Sequence, residues 1–190
     1  MGRVSPKRPR SHVGHELARL RAMLGDLEAR SGVPPNFLAW ALRVPEPKSG
    51  RLDFERFPFQ KELYSRAVED RDMVVMKSAQ VGISAWALRW ALYQSDIHGR
   101  TGLYVFPAAH DVHDFSTARI KPVIDRSDYL RSRQRRTAPS NKGLIGVGTG
   151  VVYFRGSEAR RGLDSVDADY VVFDEMTRLR TKTSPTPNAA

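Results

Sequence analysis

The run Met73-Val-Val-Met-Lys77-Ser-Ala-Gln-Val-Gly82-Ile-Ser84, followed at once by a stretch rich in Ala, Trp and Leu, narrows the fold more than any other part of the chain. The short apolar segment predicts a buried strand over Met73–Met76. The spacing beyond it predicts a helix over Ser84–Gln94 with Trp86 and Trp90 on one face. Between the two, Gly82 suits a turn where only bare backbone can approach a ligand. A strand, a tight turn and a helix N-terminus make a cradle for phosphate oxygens, because backbone N–H groups and the helix dipole point into it.

The usual phosphate loop has glycine first and lysine just before the serine; here Lys77 stands first and Ile83 holds the lysine position. An ammonium on a four-carbon stem can reach the same phosphates from the other side of the loop, so the charge is kept and its attachment point moved. Lys77, Ser78, Ala79, Gln80, Val81, Gly82, Ile83 and Ser84 are therefore the candidate nucleotide-binding residues, with the Ser84 hydroxyl a candidate ligand of Mg2+. Taken alone, Gly-x-Ser also reads as a turn capping a helix.

A partner motif lies downstream. Tyr170–Phe173 reads as a strand, and it ends in Asp174 and Glu175. A carboxylate at a buried strand tip can orient Mg2+ or its water, the expected role of Asp174. The adjacent Glu175 points elsewhere and can take a proton from an attacking water. Upstream, Gln60 follows Phe57-Pro-Phe, and its amide offers both a donor and an acceptor to adenine.

The rest of the pattern alternates. Phe37–Val44 and Pro58–Glu69 read as helices, Gly102–Phe106 as a strand closed by Pro107, His113–Ile124 as a helix and Val151–Phe154 as a strand. Strands alternating with helices predict an α/β fold of the P-loop NTPase type, a parallel sheet with helices on both faces, preceded by a short helical N-terminal segment. The expected organisation is a basic tail and helical segment over residues 1–50, an incomplete P-loop ATPase domain over 51–180 and a disordered tail over 181–190. Within the first segment, Met1–Ser11 is a basic arm and His15–Arg30 sets leucines at helical spacing.

Thirty-one Lys and Arg against 21 Asp and Glu leave a net charge of +10, a field that attracts polyanions, with double-stranded DNA the expected partner. Arg131, Arg133, Arg135, Arg136 and Lys142 form an acid-free stretch suited to phosphates within Tyr129–Lys142. No apolar run approaches the ~18 residues of a membrane span, and the absence of cysteine excludes disulfides and thiolate metal sites.

Together these residues resemble the ATPase domain of the phage terminase large subunit, GpA type, over roughly residues 50 to 180. That family carries a lysine-first loop like Lys77–Ser84, a strand ending near Pro107, a Ser-x-x-Arg helix like Ser116–Arg119 and an apolar-Asp-Glu strand like Tyr170–Glu175. The resemblance implies an ATP- and Mg2+-dependent motor that packages double-stranded DNA into procapsids in the host cytoplasm. It also implies the portal and the terminase small subunit as partners, and an oligomer when full length. It marks Arg155–Gly162 as a loop near the nucleotide, with Arg161 the candidate arginine finger. The family's coupling strand and nuclease domain are expected to be missing, since the chain ends at Ala190, soon after Glu175. Two alternatives stay open: a helicase-like DNA translocase, and a truncated, inactive fragment that binds DNA or a partner subunit.

Overall fold

The computed structural model describes residues 36–46, 52–66, 72–78, 80–134, 143–158 and 163–175, together with Arg19, Pro34 and Gly50. The basic arm Met1–Ser11, the leucine-bearing helix His15–Arg30 (Arg19 apart) and the tail Thr181–Ala190 lie outside the described residues.

Helix α1 (Phe37–Arg43) starts where the Asn36 side chain accepts from the Ala39 N–H at 2.9 Å, closing one of the orphan donors of the first turn. Helix α2 (Pro58–Ser65) starts on a proline, which has no N–H to satisfy. Helix α3 (Ile83–His98) is the longest among the described residues, entered through Gly82 at φ 84° and left through Gly99 at φ 67°. Tyr64 of α2 stacks on Phe37 of α1 at 5.3 Å, and Trp86 of α3 meets Phe37 edge-on at 6.5 Å. The three helices thus share one aromatic core, and α1 is part of it.

The sheet runs β2–β3–β1–β4, where β1 is Thr101–Phe106, β2 Leu144–Val147, β3 Gly150–Gly156 and β4 Tyr170–Phe173. Strand β1 pairs in parallel with β3 on one side and β4 on the other, while β2 and β3 form an antiparallel hairpin. This mixed α/β architecture, mostly parallel with helices packed on it, is the one the alternating pattern calls for. The register sets Tyr104 beside Phe154 and Val172, so these residues share a face. Helix α3 covers that face: Trp90 meets the Tyr170 ring at 4.9 Å, and the Tyr170 hydroxyl donates to the Ala91 carbonyl at 2.7 Å. The connection after β1 covers it too, through Phe115, whose ring lies 5.8 Å from Tyr104 and 4.9 Å from Phe106.

Some elements differ from the reading of the sequence, among them the helix read over Pro58–Glu69, which stops at Ser65 where Arg66 turns extended, and the helix Asp128–Arg133, which that reading lacked. Met73–Met76 is not a strand of this sheet: residues 72–78 run outside it, with Val74 86% and Met76 97% exposed. Composition marks such a run as buried, but a strand also needs a hydrogen-bonded neighbour, and here only Val75 packs on the core. Strand β2 is an addition to that reading; it forms because Gly148, at φ 62°, lets the chain reverse tightly into β3. The predicted helix over His113–Ile124 is three successive segments, α4 (Ala109–Phe115), a π-helical turn over Ser116–Ile120 and α5 (Lys121–Asp125).

A buried carboxylate fastens the far end of α3. Asp96 is 2% exposed, and its Oδ2 accepts from Trp40 Nε1 at 2.8 Å and from the Tyr129 hydroxyl at 2.7 Å. Its Oδ1 accepts from Arg133 Nε at 2.6 Å. Three donors from α1 and from α6 (Asp128–Arg133) thus converge on one side chain. Removing it leaves the buried Trp40 donor unpaired and takes the acceptor from Tyr129 and the partly exposed Arg133, about 3 kcal/mol in all at roughly 1–3 kcal/mol for a buried unsatisfied group. Asp96→Ala should therefore lower the thermal midpoint by roughly 10 °C in a chain of this size, read by calorimetry. A shift of only a degree or two would show that the cluster is not structural.

Candidate functional site

Strand β4 delivers Asp174 to the carboxyl edge of the sheet, where the Asp174 N–H donates to the Val105 carbonyl at 3.0 Å. Ligands in open α/β sheets gather at this edge. The loop before α3 comes to the same place. Lys77 Nζ donates to Asp174 Oδ1 at 2.9 Å and to Ser84 Oγ at 2.8 Å, and the Ser84 hydroxyl donates to the same Oδ1 at 3.2 Å. Residues separated by 90 and 97 positions in the sequence therefore share one oxygen atom.

The other oxygen belongs to the core. The Tyr104 hydroxyl donates to Asp174 Oδ2 at 3.1 Å from a fully buried position on β1. Burial first, and then the neighbouring carboxylate, holds this phenol well above its usual range, so it keeps its proton and acts as a donor. Nothing in the sequence singled out Tyr104. The available signal was a tyrosine inside an apolar strand, whose hydroxyl must find a partner when buried.

The shape of the loop is held from α2. Gln60, buried one helical turn before the anchored Tyr64, donates its Nε2 to the Val81 carbonyl at 2.6 Å. At least part of the Gln60 amide thus secures the loop. Gly82 takes φ 84°, and Gln80 also has a positive φ, 61°. A Cβ on Gly82 would lie 2.5 Å from Gln60 Nε2, so the Gln60 amide would have to swing away from Val81, while the left-handed backbone itself favours glycine. Ile83, where the usual loop has lysine, packs partly buried on the core. Ser78 is exposed, and Ala79 lies outside the described residues.

Glu175 follows Asp174 at the surface with φ 55°, a backbone conformation that costs a non-glycine residue energy. Arg161 and Arg160 lie outside the described residues. Arg155 is within them and donates to the Gly143 carbonyl at 2.6 Å. Of the basic stretch, Arg133 is committed to Asp96, and Arg131 pairs with Asp128 and the Asp125 carbonyl. Arg135, Arg136 and Lys142 lie outside the described residues. Ser116 and Arg119 sit in the π-helical turn, a distortion often found at functional sites.

Residues 46–189 match the family model described as the phage terminase large subunit gpA, ATPase domain. The chain belongs to this family. Comparison with curated proteins and with solved structures found no match. As a gpA-type terminase ATPase domain, the chain belongs to a nucleotide-using family, and the lysine-first loop and the Asp174 strand tip both fall inside the matched region. Among the described residues, no helix is long and apolar enough to cross a membrane.

The fit of Gly82 against Gln60 can be tested directly. Gly82→Ala should destabilise the protein by about 1–2 kcal/mol through its left-handed backbone alone, with a further loss from the clash. The same substitution in a Gln60→Ala background should cost less, since the clash is gone and the backbone term remains. Equal losses of thermal midpoint in both backgrounds would show that Gln60 does not press on the loop.

Proposed function

We propose that this chain is the ATPase motor domain of a terminase large subunit, binding ATP at Lys77–Ser84 and hydrolysing it to drive packaging of double-stranded DNA into procapsids. The observation that carries this reading is the convergence of Lys77, Ser84 and Asp174 on one oxygen atom at the carboxyl edge of the sheet. A turn that merely caps a helix has no reason to meet a buried carboxylate from a distant strand.

The donor set suits Mg2+. A hydroxyl and a carboxylate are hard oxygen ligands, and the Lys77 ammonium already bridges them, so the position accepts positive charge. Ser84 and Asp174 would hold the ion, and when bound it supplies charge neutralisation for the phosphate oxygens. Lys77 then provides its ammonium to the phosphates in place of the residue that Ile83 replaces. The N–H groups at the start of α3, which have no side-chain cap, are available to phosphate oxygens.

Glu175 acts as the base. It accepts a proton as water attacks the terminal phosphorus, the new P–O bond forms, and the bond to the departing ADP oxygen breaks. A strained backbone at this position supports a functional role, because strain of this kind persists where the surroundings impose it. Gln60 lies beside the loop and would contact the adenine, and Arg161 would stabilise charge on the transferred group. DNA, the portal and the small subunit are the partners proposed with this reading, and the net charge of +10 supports the first of them.

Two substitutions separate binding from chemistry. Lys77→Ala should nearly abolish ATP binding in a folded protein, measured by calorimetric titration; undiminished affinity would sink the loop assignment. Glu175→Gln keeps size and hydrogen bonding but removes the base, so ATP should still bind while turnover, with or without double-stranded DNA, falls by roughly 10²-fold or more. Wild-type hydrolysis by Glu175→Gln would show that another residue activates the water.

A further inference from the structure

We infer that Tyr104 is a positioning residue for the divalent cation that accompanies the nucleotide, fixing the Asp174 carboxylate so that Oδ1 faces the loop; this rests on the reading of Ser84 and Asp174 as cation ligands.

The geometry divides the carboxylate cleanly. Oδ2 accepts from the Tyr104 hydroxyl at 3.1 Å, and Oδ1 takes the contacts from Lys77 at 2.9 Å and Ser84 at 3.2 Å. The terminal torsion of an aspartate is broad, so a carboxylate with nothing at its second oxygen is free to rotate. Tyr104 removes that freedom from a rigid place, the central strand. Its ring lies 4.9 Å from Phe106, 5.6 Å from Phe154 and 5.8 Å from Phe115. A phenylalanine would satisfy that packing. The hydroxyl is the only part of the side chain that the aromatic core does not require, and it meets Asp174.

Orientation matters more here than in a site with many ligands. Among the described residues, no group of three or more His, Cys, Asp or Glu side chains could hold a metal ion. A cation at Asp174 therefore has few protein ligands and takes the rest from phosphates and water, so each one must be well aimed.

The test uses Tyr104→Phe in the full chain with a fluorescent ATP analogue, titrated in EDTA and across a Mg2+ series, alongside thermal midpoints. Nucleotide affinity in EDTA should match wild type within about twofold, while the Mg2+ concentration giving half-maximal enhancement should rise about tenfold, the scale of one hydrogen bond to a charged acceptor. In an Asp174→Asn background, Tyr104→Phe should add nothing to the loss of Mg2+ response, since the two act as one unit. An unchanged Mg2+ midpoint would overturn the proposal, as would an equal loss of affinity with and without Mg2+. If Tyr104→Phe fails to fold, Tyr104→Leu and Tyr104→Met, which also lack a donor, are compared at a temperature where they are folded, and a wild-type Mg2+ response in either overturns it too. A wild-type protein whose nucleotide binding ignores Mg2+ altogether would refute the cation-site reading itself, a result distinct from either outcome for Tyr104.

Discussion

The two oxygens of the Asp174 carboxylate face different neighbours, and that division sets the geometry of the site. Oδ2 is tied to Tyr104 in the core of the sheet, while Oδ1 is shared by Lys77 and Ser84 of the loop. The loop has no strand of the sheet leading into it among the described residues, so this ion pair and the Gln60 contact are what register it against the sheet. The pair is partly screened, with the Lys77 side chain a quarter exposed, and so it can be exchanged for other charged groups. A contact that positions the loop and remains replaceable suits a site that must admit a ligand.

Helix α3 links this exchangeable end to a permanent one. Ser84 lies in its first turn and Asp96 in its last, about 18 Å apart along a regular helix. At the far end Asp96 is locked by Trp40, Tyr129 and Arg133, and midway the buried Arg89 pairs with Glu46 at 3.1 Å. The helix is therefore fixed in the body of the protein while its N-terminus faces the open edge of the sheet. Displacement of the loop by a ligand would act against a firmly held rod.

The sequence was informative where a local pattern has a local cause. Gly82 was legible because a loop of this kind needs a residue tolerant of a left-handed backbone. Asp174 was legible because an apolar strand that ends in a carboxylate sets it at the sheet edge, where ligands gather. Long-range partnerships were not legible. Tyr104 and Asp174 are 70 residues apart, and no local pattern links Arg89 to Glu46 or Asp96 to Trp40. Arg133 looked like a phosphate contact for the same reason. Its charge was visible, but Asp96 as its partner was not. Met73–Met76 fails in the opposite direction: its composition suits a strand, but the pairing that makes one is a property of the neighbours.

Glu175 carries the last consequence. Its left-handed backbone would suit glycine or asparagine better than glutamate, so the local conformation argues against the side chain that stands there. Selection for thermal endurance alone would drift toward a small residue at this position and would silence the carboxylate as it did so. An acid kept at this place among evolving copies of the chain would thus be a record of its chemistry, written against the preference of the backbone.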